Sequence, residues 1–320
     1  MISELKLRQS ATLVLFLASS AGVGAGQVSR EFYRTFAVSP SESLSLQVGL
    51  LDGDLRIGYA RDGEIAVAVA AQDPTRLDLE TLASRLVIAQ TGNNLEIWER
   101  PGTGSQNLNL TYTIDVPYRT EVHASVRRGK QTITGIMGPV SAETGIGDIE
   151  VSYISLRVAV TARTGNLNFE VVGGRIEART GQGTISCQRA PQGISAETED
   201  GDISLMIVGP STATVKRGAG RIDAGGLRGT FVASTDAGHL HVKAVPHEDW
   251  HLSSMSGTIR VELPPTARCD VDAGTTSGDV FINRKDVERI GEDVRHVCQK
   301  INGGGKRIEV RTLSGNVIVT

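Results

Sequence analysis

Four histidines crowd one stretch of the chain: His239, His241, His247 and His251. Imidazoles two residues apart on a strand share a face and could hold a zinc ion. The alternation around them argues otherwise. Leu240 and Val242 take the buried parity, so His239 and His241 face solvent, and no nearby cysteine or carboxylate column completes a tetrahedral set. A second candidate is the phrase Gly-x-Gly-Asp at Gly145 to Asp148, which echoes calcium-binding solenoid repeats. Calcium needs oxygen ligands stacked in adjacent turns. The column after the recurring glycine runs Asp148, Asn166, Thr184, Asp202, Arg221, His239, Thr258, Asp279, and no two aspartates are neighbours.

Glycan cleavage is the remaining enzymatic option. It wants two carboxylates facing one groove at one level, with aromatic platforms for sugar rings. Aromatic residues are only 4%, the two tryptophans are Trp98 and Trp250, and Trp250 has the apolar parity of its strand. Asp148, Asp202 and Asp279 lie several repeats apart. The sequence therefore predicts no catalytic, cofactor-binding or metal-binding residue. The three cysteines, Cys187, Cys269 and Cys298, fit neither a disulfide framework nor a zinc pattern. Cys187 and Cys269 have core parity. A single Cys269–Cys298 bridge is open to the chain in an oxidising compartment.

These residues sit on a ladder of repeats. A phrase of glycine, a variable residue and an aliphatic residue recurs with its glycine at 147, 165, 183, 201, 220, 238, 257, 278 and 315. Successive differences are 18, 18, 18, 19, 18, 19, 21 and 37. A second strand precedes each glycine, as in Arg157–Arg163 and Gly193–Thr198, and both strands alternate apolar and polar residues. One such unit cannot bury its apolar face alone, but stacked units share a continuous core. The expected fold is all-β: a right-handed parallel β-helix (β-solenoid) of about 18 residues per coil, with the hand taken from the general bias of parallel crossovers. A left-handed hexapeptide helix needs an aliphatic residue at every sixth position, and stepping by six from Ile149 meets Ser155, Thr161, Leu167, Gly173 and Arg179, so the hexad is absent. An antiparallel sandwich shares the strand spacing and is the rival architecture.

The expected organisation has three parts. Residues 1–26 read as a cleaved signal peptide: Lys6 and Arg8, an apolar run from Ala11 to Leu17, then small residues to Gly26. An uncleaved anchor is the alternative, although the apolar part is shorter than the roughly 20 residues that span a bilayer. Residues 27–119 form an irregular N-terminal β region capping the solenoid, which occupies 120–320. Within it, Arg284 to Gly305 has helical spacing at Val287, Ile290, Val294 and Val297 and reads as a helical insertion. Net charge is −3, so no basic stripe marks a nucleic-acid binder.

Several of these phrases resemble a known family. Val116-Pro117, Gly138 to Thr144, Gly147-Asp148-Ile149, Asn302 to Gly305 and Ile308 to Val317 are similar to the bacterial putative-adhesin domain family of unknown function. The resemblance covers roughly residues 36–320. Arg221, His239 and Thr258 stand where that family usually has aspartate. It implies a solenoid like auto-transporter adhesin heads and no catalytic residues. The resulting expectation is a non-catalytic, secreted or periplasmic surface or envelope interaction protein. Its ligand would be a surface partner such as a glycan or envelope protein. The alternative is a glycan-active lyase or hydrolase.

Overall fold

The computed structural model describes residues 31–39, 43–60, 63–71, 85–100, 110–284, 287–290 and 295–320. The expected signal peptide, residues 1–26, lies outside the described residues. None of the described helical residues forms a helix long and apolar enough to cross a membrane.

The N-terminal strands are β1 (Glu31–Ala37), β2 (Leu44–Asp52), β3 (Asp54–Tyr59), β4 (Glu64–Ala71), β5 (Leu86–Thr91), β6 (Asn94–Glu99) and β7 (Leu110–Val116). The regular ladder begins with β8 (Thr120–Arg128), β9 (Gln131–Thr134), β10 (Val140–Ile146), β11 (Ile149–Ile154), β12 (Val158–Thr164), β13 (Leu167–Val172), β14 (Ile176–Gln182) and β15 (Ile185–Cys187). It continues through β16 (Ile194–Asp200), β17 (Ile203–Met206), β18 (Ser211–Val215), β19 (Ile222–Gly225), β20 (Phe231–Thr235), β21 (Leu240–Lys243), β22 (Trp250–Ser256) and β23 (Ile259–Glu262). The C-terminal strands are β24 (Cys269–Ser277), β25 (Val280–Ile282), β26 (Val287–Ile290), β27 (His296–Ile301), β28 (Lys306–Ser314) and β29 (Val317–Val319).

The chain is an all-β solenoid of two facing sheets, of 14 and 15 strands among the described residues. Each coil gives one strand to each sheet, and each strand pairs in parallel with its copy one coil away. Val140 pairs with Val158, Val158 with Ile176 and Ile176 with Ile194, steps of one 18-residue coil. In the other sheet the aliphatic residue of the phrase forms one column: Ile149, Leu167, Ile185, Ile203, Ile222, Leu240 and Ile259. All of these residues are buried. Parallel pairing throughout the ladder rules out the antiparallel sandwich.

The glycines are sterically required. Gly183 has φ +148°, and a Cβ there would lie 2.1 Å from the carbonyl oxygen of Gly165 in the adjacent coil. No side chain fits where two coils approach this closely, and an L-residue resists that backbone conformation.

Both ends depart from sequence order. The coil β2–β3 lies between β6–β7 on one side and β8–β9 on the other. At the far end, the last coil, β28–β29, is inserted between β22–β23 and β24–β25. Among the described residues, antiparallel strands then cover three of the four sheet ends: β5 on β6, β4 on β7 with β1 on β4, and β27 on β24. Such cover blunts the unpaired edges that a bare solenoid would expose.

The expected helical insertion at 284–305 is corrected. The described part of that segment is the antiparallel hairpin β26–β27, with Val287 opposite Ile301 and Ile290 opposite Cys298. The free edge of β24 offers a row of backbone partners, and satisfying it outweighs the local helical spacing. The same register separates the cysteines. Cys269 is opposite Ile301 while Cys298 is opposite Asp272, so an odd number of residues puts the two thiols on opposite faces. All three cysteines are free, and Cys187 and Cys269 are buried as their parity predicts.

Candidate ligand face and side-chain clusters

The polar column after each glycine has a structural task. Asp148 Oδ1 accepts the backbone N–H of Asn166 at 2.7 Å, and Asn166 Oδ1 accepts that of Thr184 at 2.9 Å. Asp202 accepts from Arg221 at 2.7 Å, Asn316 from Asp279 at 3.0 Å, and His239 Nδ1 from Thr258 at 3.0 Å. Each side chain closes a turn donor one coil away. Aspartate, asparagine and histidine recur there because all three present an acceptor at that reach. Asp148 and Asp202 are therefore each occupied by a backbone donor, and Asp279 enters the column only through its own backbone N–H, which donates to Asn316.

A second ladder lies inside. Thr180, Thr198, Thr235, Ser254, Thr275 and Thr312 donate their hydroxyls to the carbonyl oxygens of Gly165, Gly183, Gly220, Gly238, Gly315 and Gly257, at 2.9–3.3 Å. These hydroxyls replace apolar side chains at the end of each buried row and satisfy carbonyls that the glycine turn leaves exposed to the core. The sequence carries this signal as a Thr or Ser three residues before the glycine.

Of the four histidines of residues 239–251, His239, His241 and His251 take separate partners. His241 has Asp223 on Nδ1 at 3.2 Å and Glu262 on Nε2 at 3.0 Å. Those nitrogens point in different directions, so the two carboxylates cannot meet at one ion. His251 pairs with Glu309 at 3.1 Å.

The outer face of the 15-stranded sheet carries a continuous row. Successive pairings join Trp98, Gly49, Ser125, Glu143, Thr161, Arg179 and Glu197. They continue through Thr214, Ser234, Ser253, Arg311, Gly274 and His296. With strands about 4.8 Å apart, twelve steps span about 58 Å. Two depressions open along it. One, of about 570 Å³, is lined by Trp98, Gly49, Ser125, Glu143, Thr161 and Arg163 among others. The other, of about 590 Å³, is floored by Thr214, Ser234, Ser253 and Gly274 and walled by Arg295, His296 and Arg311. Trp98 is 42% exposed, and its ring lies against Gly49, where a Cβ would come within 2.1 Å of it. Glu99 below it is spoken for: Arg85 binds one oxygen and the backbone N–H groups of Leu51 and Asp52 the other.

At the C-terminal end of the row, Asp272 gathers donors. His296 Nε2 lies 2.9 Å from Oδ1, Arg311 Nη2 2.9 Å from Oδ1, and Arg307 Nη2 2.6 Å from Oδ2. Partial burial opposes ionisation, but these three donors prevail and hold the Asp272 carboxyl down to about 2. Cys298 stands beside it, 3.7 Å from Asp272 Oδ1 and 3.8 Å from His296 Nε2. Burial and the Asp272 charge push its thiol up. This group is not legible in the sequence. The pair His296-x-Cys298 shares a face only once the segment is a strand, and Asp272 joins through the antiparallel register.

A family model matches residues 42–320 of this chain, described as Toastrack DUF4097. The chain belongs to the Toastrack DUF4097 family. Among solved structures, the Toastrack chain is similar to a "putative adhesin" from Parabacteroides distasonis, at 12% identity and a TM-score of 0.45, covering 91% of this chain and 97% of that one. A "putative adhesin" from Bacteroides fragilis matches at 15% identity and a TM-score of 0.38, with coverage of 91% and 97%. A "putative cell adhesion protein" from Clostridium sporogenes matches at 10% identity and a TM-score of 0.24, with coverage of 91% and 98%. No functionally curated protein matches.

Proposed function

We propose that this Toastrack protein is an exported, non-catalytic surface-interaction protein of adhesin type, and that the outer face of its 15-stranded sheet contacts an extended polar polymer such as an envelope glycan. The observation that carries this reading is the row from Trp98 to His296. Much of its floor is Gly, Ser and Thr, so the row is a shallow trough rather than a closed pocket. An indole at one end offers a stacking platform, and Arg179, Arg311, Glu143 and Glu197 offer polar partners along it. Rigid parallel strands fix the spacing of these groups, which limits the ordering cost of binding a long ligand. The basic, apolar and small-residue order of residues 1–26 supports export to the periplasm or cell surface.

The glycan-active enzyme is the second reading. Glu143 and Glu197 share the trough, but three strand spacings put them about 14 Å apart. Glycosidase carboxylates lie about 5–9.5 Å apart. A glycan array together with a polysaccharide-cleavage screen separates the two readings. Retention of a polysaccharide without shortening it is the expected result. Release of shortened products would overturn the proposal.

A further inference from the structure

We propose that Asp272, His296 and Cys298 form a zinc site, with Asp272 Oδ1, His296 Nε2 and Cys298 Sγ as its three protein ligands and water completing the fourth position. The three donor atoms converge on one point. Their separations are 2.9 Å for Asp272–His296, 3.7 Å for Asp272–Cys298 and 3.8 Å for His296–Cys298. A tetrahedral zinc with bonds of about 2.3 Å to sulfur and about 2.0–2.1 Å to nitrogen and oxygen needs a N···O edge of about 3.3 Å and edges to sulfur of about 3.5 Å. Each edge found here is within about half an ångström of that requirement. The mixed sulfur, nitrogen and oxygen set is one that zinc accepts.

The backbone holds this triangle. Asp272 on β24 is directly opposite Cys298 on β27, and His296 is two residues along the same strand, on the same face. β24 is paired on its other side with the inserted coil, so the backbone that carries Asp272 is fixed from both sides.

Two guanidiniums compete with a cation here, and the geometry says how each yields. Arg307 binds Oδ2, leaving Oδ1 to the metal, and would orient the ligating carboxylate as an outer partner. Arg311 shares Oδ1 but also reaches Glu309 Oε1 at 3.3 Å, so it keeps an anion when it gives up Asp272. Binding proceeds with loss of the Cys298 thiol proton to solvent, the thiolate taking its place on the metal, while His296 binds through an unprotonated Nε2. The ion would staple the β26–β27 hairpin to β24. This inference stands independently of what the sheet face binds.

The test is calorimetric titration of the purified protein with zinc sulfate, repeated on His296→Gln, Cys298→Ser, Arg311→Gln and, as a control, His241→Ala. One zinc per chain is expected for the wild type, with uptake that weakens as pH falls and releases protons to the buffer. H296Q and C298S should each bind at least tenfold more weakly, and H241A should bind as the wild type does. R311Q should bind more tightly, because it removes the competing cation. Cobalt should give a thiolate charge-transfer band that C298S lacks. Circular dichroism confirms that each variant is folded. No uptake by the wild type, or undiminished uptake by both H296Q and C298S, would overturn the site. Unchanged or weaker binding by R311Q would overturn its placement on Asp272.

Discussion

At Gly183 the chain has no room for even a methyl group. Ala there would collide with the Gly165 carbonyl while adopting φ +148°. Gly183→Ala should therefore lose about 3 kcal/mol or more in denaturant unfolding. Thr180→Val keeps the shape but removes the hydroxyl that serves the Gly165 carbonyl, and should lose only about 1 kcal/mol. This glycine ladder was plain in the sequence, since steric demand leaves a residue type at a fixed interval. The partners of Asp148, Asn166 and Asp202 were not, because their acceptor role depends on a backbone N–H one coil away. The same contacts predict that added calcium leaves the melting temperature unchanged.

Asp272 makes the fold sensitive to acid. Its carboxyl is held below its ordinary 3.8, at about 2, so the ionised form stabilises the metal-free fold. That stability is fully present above the unfolded value and is lost as pH falls from about 4 toward 2. Its size is about 2 kcal/mol, and the Asp272 side chain is only 17% exposed, so solvent screening is modest. Asp272→Asn should unfold at lower denaturant at pH 7 and lose this acid dependence. Unfolding curves at pH 7, 4 and 2.5 check both.

Among the elements, β28 shows what a repeat pattern conceals. The phrase at Gly315 was recognisable, and its distance from Gly278 signalled an insertion. Its position between β22 and β24 was not legible, because the phrase that suits one slot suits its neighbour equally well. The hairpin is hidden in the sequence for a related reason: Val287, Ile290 and Val297 satisfy helical spacing locally, and only the edge of β24 decides against it. The insertion makes the last coil a core element, with Ile308, Val310, Val317 and Val319 fully buried. Deleting residues 306–320 should leave a slot between β22 and β24 and expose apolar surface. The expected readout is loss of cooperative melting with strong binding of a hydrophobic dye.

The thiols report on the same elements. Burial pushes Cys187 up to about 12 and Cys269 up to about 11, whereas Cys298 lies on a partly open strand. In metal-free native protein, a thiol reagent should label Cys298 and spare Cys187 and Cys269. Three thiols should appear after unfolding, with or without prior reduction.

For the whole molecule, two ladders fix the body and leave one face variable. Glycine turns and inward hydroxyls repeat because every coil needs them. The outward row repeats nothing, which is why sequence periodicity revealed the solenoid and was silent on the trough. Trp98 and His296 join it from strands outside the regular spacing. The trough is the surface proposed to contact a polymer. Its most direct test compares wild type with Ser234→Arg, which fills the floor from an outward position without entering the core. The measurement is retention of envelope polysaccharides on an array, with melting temperature as the fold control. The wild type should retain a polysaccharide, and the variant, melting as the wild type does, should retain far less. Equal retention by a folded Ser234→Arg variant would contradict it.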